Sequence, residues 1–435
     1  MDAELRAGWA RADISPPLGI HMGGYWGRSS GATAILDRLE AKALVVSDKD
    51  SSVVLLVLDI VALAAADVQI IRDRITAATG ISPQAVMVCC THTHAGPLTL
   101  AFRGMGEMDC AYMGSLRDAA VQAASAAAGT QEPATLRYVQ TPVQIGHNRR
   151  DPRGPVSTVL QAFEVVTERA AAVVFSHACH PVVLGPSNHG ISAEFPGAAV
   201  RRLEADGVSF AMFVNGACAD VNPRLAQGEA EQVTELGHEL ADAVLVAIDT
   251  EGVRICAGGL AHRRKIVSLP LIHSPPRAHL IAEILALKGR AMVKRLVGGG
   301  NYWDQLVPQA QRQWAKEALN QTGAHERTTT PFEIQTLRIG SLVLLGMEGE
   351  IFVRYQLDHE GTSVLQPTIL CGFANGCIGY VPTADEYVRG GYEVDVAYKV
   401  YPSTRMIAPE SEGIIRRTIA EMISSLQRDE ERESP

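Results

Sequence analysis

The chain has 435 residues, of which 47% are hydrophobic and 20% charged, and its formal net charge is -9 at pH 7. These values are ordinary for a globular protein that is long enough to bury a large core. The acidic balance argues against nucleic acid as a partner, because phosphate backbones are bound mainly by clustered Lys and Arg.

The N-terminal segment MDAELRAGWARADISPP carries charges and has no apolar run of the kind found in a secretory signal. The most apolar stretch, residues 53–66, is shorter than the roughly 18 to 20 residues of a membrane span, and Asp59 interrupts it. The cysteines form no CxxC pair, which predicts reduced thiols. We therefore expect a cytoplasmic protein without stable membrane association.

Strand-like and helix-like segments alternate along the chain. The predicted strands are 43–46, 53–60, 85–89, 171–177 and 209–216, and the predicted helices are 67–80, 112–129, 193–206 and 229–248. This alternation predicts an α/β fold with mixed sheets, flanking helices and a site in the loops at strand ends. We interpret 278–321 as a helical excursion, broken at 298–303, within a single domain that spans 1–435.

Two histidines, His92 and His94, follow the predicted strand 85–89 in the motif THTHAGP. Residues i and i+2 of an extended segment point to the same side, so both imidazoles can face one small volume. Histidine commonly serves as a metal ligand or as an acid and base. The alternative is a pair of polar loop residues without a ligand.

Two further segments carry candidate ligands at strand ends. SHACHPVVLG supplies His177 and His180, and GMEGEIF supplies Glu348 and Glu350. Two histidines and a carboxylate, with a position left for water, are the pattern of catalytic zinc. The sequence does not decide between Glu348 and Glu350.

Several segments, taken in order, resemble one known family. They are ADISPP, THTHAGP, HNRR, ACHPVVLG, ADVNP, GEIF and GYVPTADEYVRGGYE, and they span about residues 8 to 395. They resemble the catalytic N-terminal domain of the neutral/alkaline non-lysosomal ceramidases, especially its shorter bacterial relatives. The resemblance implies a zinc ion held by His92, His180, Glu350 and Tyr380. It also implies catalytic roles for His94, Tyr392 and Arg149.

The resemblance predicts attack by zinc-bound water on a carbonyl, because zinc lowers the pKa of its bound water to about 7. Ceramide itself is a doubtful substrate, since the chain lacks the length for the family's C-terminal immunoglobulin-like domain. We expect an amide, ester or lactone of a small polar metabolite. Arg149, Arg150 and Arg153 suggest that this substrate is anionic, unless they form a solvated basic loop. A homo-oligomer is an open possibility.

One position departs from the family. Gly216 stands where ceramidases carry a serine, which favours direct attack by water. Nearby, Cys218 is expected to be a small buried residue. Glu194 is a candidate for orienting His180, and His21 is a candidate for bordering the pocket.

Besides the hydrolase, two other function classes stay open on the residues alone: a different metalloenzyme and a protein that binds a ligand without catalysis. Two histidines and one glutamate also describe non-haem iron oxygenases, and an HxH motif after a strand also occurs in barrel amidohydrolases. A non-catalytic ligand-binding protein is the third reading, motivated by Gly216.

Overall fold

The computed structural model of the protein describes residues 5–26, 28, 30–226, 228–255, 259–297, 303–321, 327–360, 367–403 and 405–433. The strands are β1 (Arg6–Asp13), β2 (Ala34–Ile35), β3 (Glu40–Ser47), β4 (Ser52–Leu58), β5 (Val86–Cys90), β6 (Glu132–Pro142), β7 (Gly146–Asn148), β8 (Val159–Thr167), β9 (Ala171–His177), β10 (Gly190–Ile191), β11 (Phe210–Asn215), β12 (Val221–Pro223), β13 (Val253–Ile255), β14 (Leu260–Pro270), β15 (Thr329–Ile339), β16 (Leu342–Met347), β17 (Glu350–Ile351), β18 (Thr368–Cys371) and β19 (Tyr380–Val381). The α-helices are α1 (Ala65–Thr79), α2 (Cys110–Gly129), α3 (Glu194–Ala205), α4 (Ala230–Ile248), α5 (Arg277–Val297), α6 (Trp303–Gln321), α7 (Val353–Leu357), α8 (Glu386–Arg389) and α9 (Ser411–Glu433).

The largest sheet has nine strands. Eight follow the order β11-β9-β8-β6-β1-β3-β4-β5, and β13 pairs with β6 beside them. At the two edges of this sheet, β11 runs parallel to β9 and β5 runs parallel to β4. The inner neighbours are antiparallel. The mixed α/β fold that the alternation of elements predicts is confirmed.

The apolar run 53–60 is explained by burial of β4 on both faces. Val54 and Leu56 pack in the cluster that contains residues of α1 to α4. Val53 and Leu55 pack on the opposite side, in the cluster shared with the second large sheet. Because successive side chains of a strand point to opposite faces, a strand covered on both sides is apolar throughout.

The second large sheet has the strand order β14-β15-β16-β18. One of its faces packs on the nine-stranded sheet, and the other packs against α9. Ile415, Ile419 and Met422 of α9 lie in one cluster with Phe332 and Ile334 of β15. Their spacing is that of one apolar helix face. The molecule therefore has four layers, with helices outside two packed sheets.

The first two helices begin two residues earlier than the sequence predicts. Helix α1 begins at Ala65 rather than Asp67 and ends before Gly80, which has a φ of 77°. Helix α2 begins at Cys110 because the Asp109 carboxylate accepts hydrogen bonds from the next N–H groups. Side-chain caps of this kind fix where a helix starts.

Helices α5 and α6 occupy the stretch that the sequence assigns to a helical excursion. Trp314 of α6 packs with Leu280 of α5 and holds the two helices together. Residues 298–302, where the predicted break falls, lie outside the described residues. In the described part of the chain, every helix is too short or too polar to span a bilayer.

The loops after β5, β9 and β11 meet at one end of the nine-stranded sheet. Asn215, the last residue of β11, donates from Nδ2 to the carbonyl oxygens of Thr91 (3.0 Å) and Cys179 (3.3 Å). Thr91 precedes His92, and Cys179 precedes His180. One buried amide thus ties together the two loops that carry the candidate histidines.

Candidate active site

His92 lies in the loop directly after β5, with a φ of 68°. Its Nδ1 is 2.6 Å from the carbonyl oxygen of Val61, and its ring stacks on Phe373 with centroids 3.8 Å apart. A carbonyl only accepts hydrogen bonds, so Nδ1 carries the proton and Nε2 presents a lone pair. Burial lowers the pKa of His92 to about 3, which keeps the ring uncharged.

His180 is oriented in the same way from the loop after β9. Its Nδ1 is 2.6 Å from the carbonyl oxygen of Cys218 and 3.2 Å from that of Val221. Its Nε2 therefore also presents a lone pair, which faces Oε2 of Glu350 at 3.2 Å. The side chain of Cys218 is fully buried, so this residue contributes its carbonyl to the site rather than its thiol.

His94 completes a group of three imidazoles. Its Nε2 lies 3.1 Å from Nε2 of His92, and the ligand atoms of His92, His94 and His180 all lie within 4.8 Å of one another. The two rings of THTHAGP thus face one volume, although a loop and not a regular strand carries them. Such a cluster of buried nitrogens could hold a metal ion. His177 lies apart, with Nδ1 facing the carbonyl oxygen of Val159 at 3.2 Å.

The carboxylate beside the three rings belongs to Glu350. Its Oε2 is 3.2 Å from Nε2 of His180 and 3.8 Å from Nε2 of His92. Burial alone would raise its pKa, but the close contact with His180 and the neighbouring imidazoles hold the pKa at about 2. Glu350 is therefore ionised at neutral pH and could serve as an oxygen ligand.

Glu348 points elsewhere, because the chain turns sharply between the two glutamates. Gly349 has a φ of 120°, a conformation that favours glycine. Oε2 of Glu348 accepts a hydrogen bond from the backbone N–H of Glu333 at 3.0 Å. Burial raises the pKa of Glu348 to about 7. The structure thus separates two residues that the sequence alone left equivalent.

Tyr380 stands next to Glu350 because β17 and β19 pair in parallel with these two residues in register. The Tyr380 hydroxyl accepts a hydrogen bond from Arg149 Nη2 at 3.0 Å. The Arg149 Nε donates to Oε1 of Glu393 at 2.8 Å. The ring of Tyr392 lies 5.8 Å from that of Tyr380 and is partly exposed. Tyr380, Tyr392 and Arg149 therefore form one wall beside Glu350.

The arginines of HNRR are neutralised by nearby carboxylates. Arg149 pairs with Glu393, and Arg150 pairs with Glu386 at 2.7 Å and also with Glu393. Arg150 donates a further hydrogen bond to the carbonyl oxygen of Gly390 at 2.6 Å. These contacts tie the segment after β7 to the segment around Tyr392. They fix the position of this wall. Because both arginines are paired, little positive charge is left there to bind an anion.

No protein-family model and no curated protein sequence matches this chain. Its fold does match solved structures. Neutral ceramidase from Pseudomonas aeruginosa superposes with a TM-score of 0.76 and 20% sequence identity, over 98% of this chain and 75% of that chain. A ceramidase complexed with C2 superposes with a TM-score of 0.75 and 19% identity, over 98% and 76%. The chain therefore shares the fold of these ceramidase structures.

Within this ceramidase-like fold, Gly216 is required by its surroundings. A Cβ at this position would lie 2.3 Å from Oε1 of Gln356 and 3.2 Å from Cβ of Ala178. Oε1 of Gln356 accepts a hydrogen bond from the backbone N–H of Ala217 at 2.9 Å. Gln356 thus occupies the space into which a serine side chain at position 216 would extend.

The segment around Gly24 covers one side of His94. Gly24 has a φ of 90°, and a Cβ there would lie 2.6 Å from Cγ of His94. The next residue, Tyr25, packs edge to face on His94 with ring centroids 4.9 Å apart. His21 itself is exposed and packs on another loop, with Nδ1 3.1 Å from the carbonyl oxygen of Glu107. Because Gly24 has no Cβ, the backbone of its segment can approach His94.

The expectation that Glu194 orients His180 is wrong. Oε1 of Glu194 instead accepts a hydrogen bond from the backbone N–H of Leu184 at 2.8 Å. Glu194 is buried with a φ of 58°, and burial raises its pKa to about 7. It stabilises the turn after His180, whereas the ring of His180 is oriented by the carbonyl of Cys218.

The sequence interpretation missed four residues that shape the site: Tyr25, Asn215, Glu393 and Tyr401. The Tyr401 hydroxyl donates to Oε1 of Glu350, which makes it the closest of the four to the ligand group. Glu393 could have been found, because it directly follows Tyr392 and can pair with the arginines of HNRR. Asn215 ends a strand that the sequence predicts, but nothing marks its amide as a link between loops, and Tyr401 lies in a segment without a motif.

Proposed function

We propose that the chain is a zinc-dependent hydrolase that cleaves an amide, ester or lactone bond of a small polar metabolite. One observation carries the proposal: ring nitrogens of His92, His94 and His180 converge beside the carboxylate of Glu350. The likeness of the fold to that of neutral ceramidases supports the same reaction class.

The chemistry of the donor set fits a metal ion. Nε2 of His180 and Oε2 of Glu350 face each other at 3.2 Å, although a carbonyl partner holds the His180 proton on Nδ1. Two facing lone pairs repel each other, and a metal ion bound by both atoms would relieve this repulsion. Uncharged imidazole nitrogens and one carboxylate are the ligands that catalytic zinc takes, with one position open.

His92, His180 and Glu350 would hold the ion, and the resemblance adds Tyr380 as the fourth ligand. His94 differs from the other two histidines. Its buried Nδ1 has no hydrogen-bond partner among the described residues, so no carbonyl fixes its tautomer. A ring that no backbone carbonyl holds suits contact with the reacting carbonyl better than permanent ligation.

A zinc ion held by these residues would supply Lewis acidity, which would polarise a carbonyl and lower the pKa of bound water to about 7. His94 and Tyr392 then donate hydrogen bonds to the carbonyl oxygen of the substrate as negative charge develops there. One preorganised donor of this kind is worth about 3 to 4 kcal/mol. Arg149 holds the hydroxyl of Tyr380 and, through Glu393, fixes the wall that carries Tyr392.

The charges of the wall favour an uncharged substrate group. Arg149 and Arg150 are both paired with glutamates, so neither is available as a simple anion site. Because of these ion pairs, we propose an uncharged substrate group in place of the anionic substrate that the HNRR segment suggests. We keep the small polar metabolite, a cytoplasmic location and the absence of stable membrane association as predictions.

The test is elemental analysis of the purified protein combined with assays on a panel of small amides, esters and lactones. We expect about one zinc per chain and turnover of at least one substrate class. His92→Ala should lose both the metal and the turnover. His147→Ala is the matched control, because His147 is exposed and lies outside the imidazole group.

Other outcomes of the same test favour other functions. Iron with oxygen-dependent turnover would indicate an oxygenase, because two histidines and a glutamate also bind non-haem iron. A barrel amidohydrolase is disfavoured by the mixed, largely antiparallel strand order of the main sheet. A protein without metal, purified in the presence of zinc, would contradict the proposal.

A further inference from the structure

The two oxygens of the Glu350 carboxylate have different neighbours. Oε2 faces the imidazoles of His180 and His92, whereas Oε1 accepts the hydrogen bond from the Tyr401 hydroxyl. We infer that Tyr401 is a positioning residue, which holds the Glu350 carboxylate so that a single oxygen is presented to the metal. This inference rests on the proposed function.

The ring of Tyr401 is held on several sides. It packs edge to face on Phe102, with ring centroids 5.0 Å apart, and on Tyr380 at 6.2 Å. Gly379 lies against the ring, where a Cβ would be 3.3 Å from Cγ of Tyr401. Only 4% of Tyr401 is exposed. The hydroxyl therefore has little freedom to leave Glu350, and the hydrogen bond costs little further entropy.

The backbone around Tyr401 is fixed by one buried cation, Arg103. Its guanidinium donates hydrogen bonds to several carbonyl oxygens of the segment 399–403. The acceptors are Lys399 (3.3 Å), Tyr401, Pro402 (2.9 Å) and Ser403 (3.1 Å). The backbone N–H of Arg103 also donates to Val400 at 2.8 Å. This set of contacts, which we call the Arg103 clamp, fixes the position of the Tyr401 Cα.

The Arg103 clamp extends to helix α6. The guanidinium pairs with Glu317 of α6, with distances of 2.9 Å from Nε and 2.6 Å from Nη2. Arg103 is buried, and Glu317 is partly exposed. A chain of contacts thus runs from α6 through Arg103 and Tyr401 to Glu350. It gives the helical pair α5 and α6 a physical connection to the metal ligands.

Outer partners of this kind orient metal ligands, and their loss commonly weakens metal binding by about 10 to 100-fold. Tyr401→Phe removes only the hydroxyl and keeps the ring that packs on Phe102. We expect the dissociation constant for zinc, measured by chelator competition at fixed pH, to rise by about that factor. The control is Tyr387→Phe, which removes a hydroxyl that donates to the carbonyl oxygen of Ile407 at 2.8 Å.

The two variants separate positioning from general stability. Tyr387→Phe should lower the unfolding temperature of the metal-free protein by a similar amount but leave zinc affinity unchanged. A spectroscopic readout is the visible spectrum of the cobalt-substituted protein, which should change in Tyr401→Phe and stay constant in Tyr387→Phe. Equal zinc affinity and an unchanged cobalt spectrum in Tyr401→Phe would overturn the inference while leaving the proposed function intact.

A second variant keeps the inference testable if Tyr401→Phe does not fold. Glu317→Gln removes the charge that holds Arg103 at the surface end of the clamp, far from the ligands. We expect a weakening of zinc binding of a few-fold, smaller than for Tyr401→Phe, because four carbonyl contacts still hold Arg103. Unchanged zinc affinity in Glu317→Gln would overturn the role of the clamp. Failure of the wild type to bind zinc would overturn both this inference and the proposed function.

Discussion

His92 and His94 are two residues apart, yet their ring nitrogens have different partners. Nδ1 of His92 faces a backbone carbonyl, whereas Nδ1 of His94 is buried without a partner in the described part of the chain. A ring that a backbone carbonyl orients suits a permanent ligand, and a ring without such a partner suits contact with the reacting group. The same motif therefore supplies one group for the metal and one for the reaction.

This division predicts different losses in two variants. His92→Ala should lose the zinc and all turnover. His94→Ala should keep about one zinc per chain but lose turnover by about 100 to 1,000-fold, the effect of removing one donor to a developing oxyanion. Zinc content and kcat are measured on the same preparations. Loss of zinc from His94→Ala would show instead that His94 is a ligand.

Gly216 is a second residue whose role depends on one contact. Gly216→Ser would place Cβ 2.3 Å from Oε1 of Gln356, a buried side chain that must then move. We expect a loss of about 1 to 3 kcal/mol in the free energy of unfolding, the usual cost of overpacking. Gly114→Ser in α2 is the control, because nothing lies within 4 Å of the added Cβ. Urea unfolding measures both, and equal stability of the two variants would contradict the account.

At the scale of elements, helix α1 is joined to the second sheet by a buried ion pair. Arg72 is 1% exposed and donates to Glu333 of β15 at 2.7 and 3.2 Å. Its Nε donates to the carbonyl oxygen of Val86 at 2.9 Å. The pair thus connects α1, β15 and β5, the strand that leads to His92.

Removing one partner of this ion pair should lower the free energy of unfolding. Arg72→Ala leaves the buried carboxylate of Glu333 with Arg264 as a remaining partner, so we expect a loss near the lower end of the range of about 3 to 5 kcal/mol that breaking a buried pair costs. Arg74→Ala, in the same helix, breaks an exposed pair with Asp118 and should cost at most about 1 kcal/mol. Chemical unfolding of the two variants provides the measurement. A loss below that of Arg74→Ala would show that the pair does not stabilise the packing of α1.

The elements themselves were largely predictable, because apolar runs such as 53–60 are local signals, although the sequence places the start of α2, after the Asp109 cap, two residues too late. The choice between Glu348 and Glu350 was not predictable. It depends on the left-handed turn at Gly349, which removes the usual alternation of a strand. The role of Arg72 was also hidden, since a charged residue in a helix gives no sign that a distant strand will cover it.

At the scale of the whole molecule, the site is built where distant loops meet. The loops after β5 and β9 are joined by Asn215, and Glu350 comes from the segment that follows β16 of the second sheet. Strand-end histidines could be recognised in the sequence, but the convergence of Glu350 with them depends on how the two sheets pack. Tyr401 and Arg103 could not be recognised, because their contacts join segments that no motif connects.

The most direct test of the central claim is anomalous diffraction at the zinc absorption edge from a crystal of the protein grown with zinc. We predict one strong peak within bonding distance of Nε2 of His92, Nε2 of His180 and the Glu350 carboxylate, at about 2.0 to 2.2 Å from each. A crystal in which these side chains are ordered and no peak lies between them would contradict the claim that this site holds zinc.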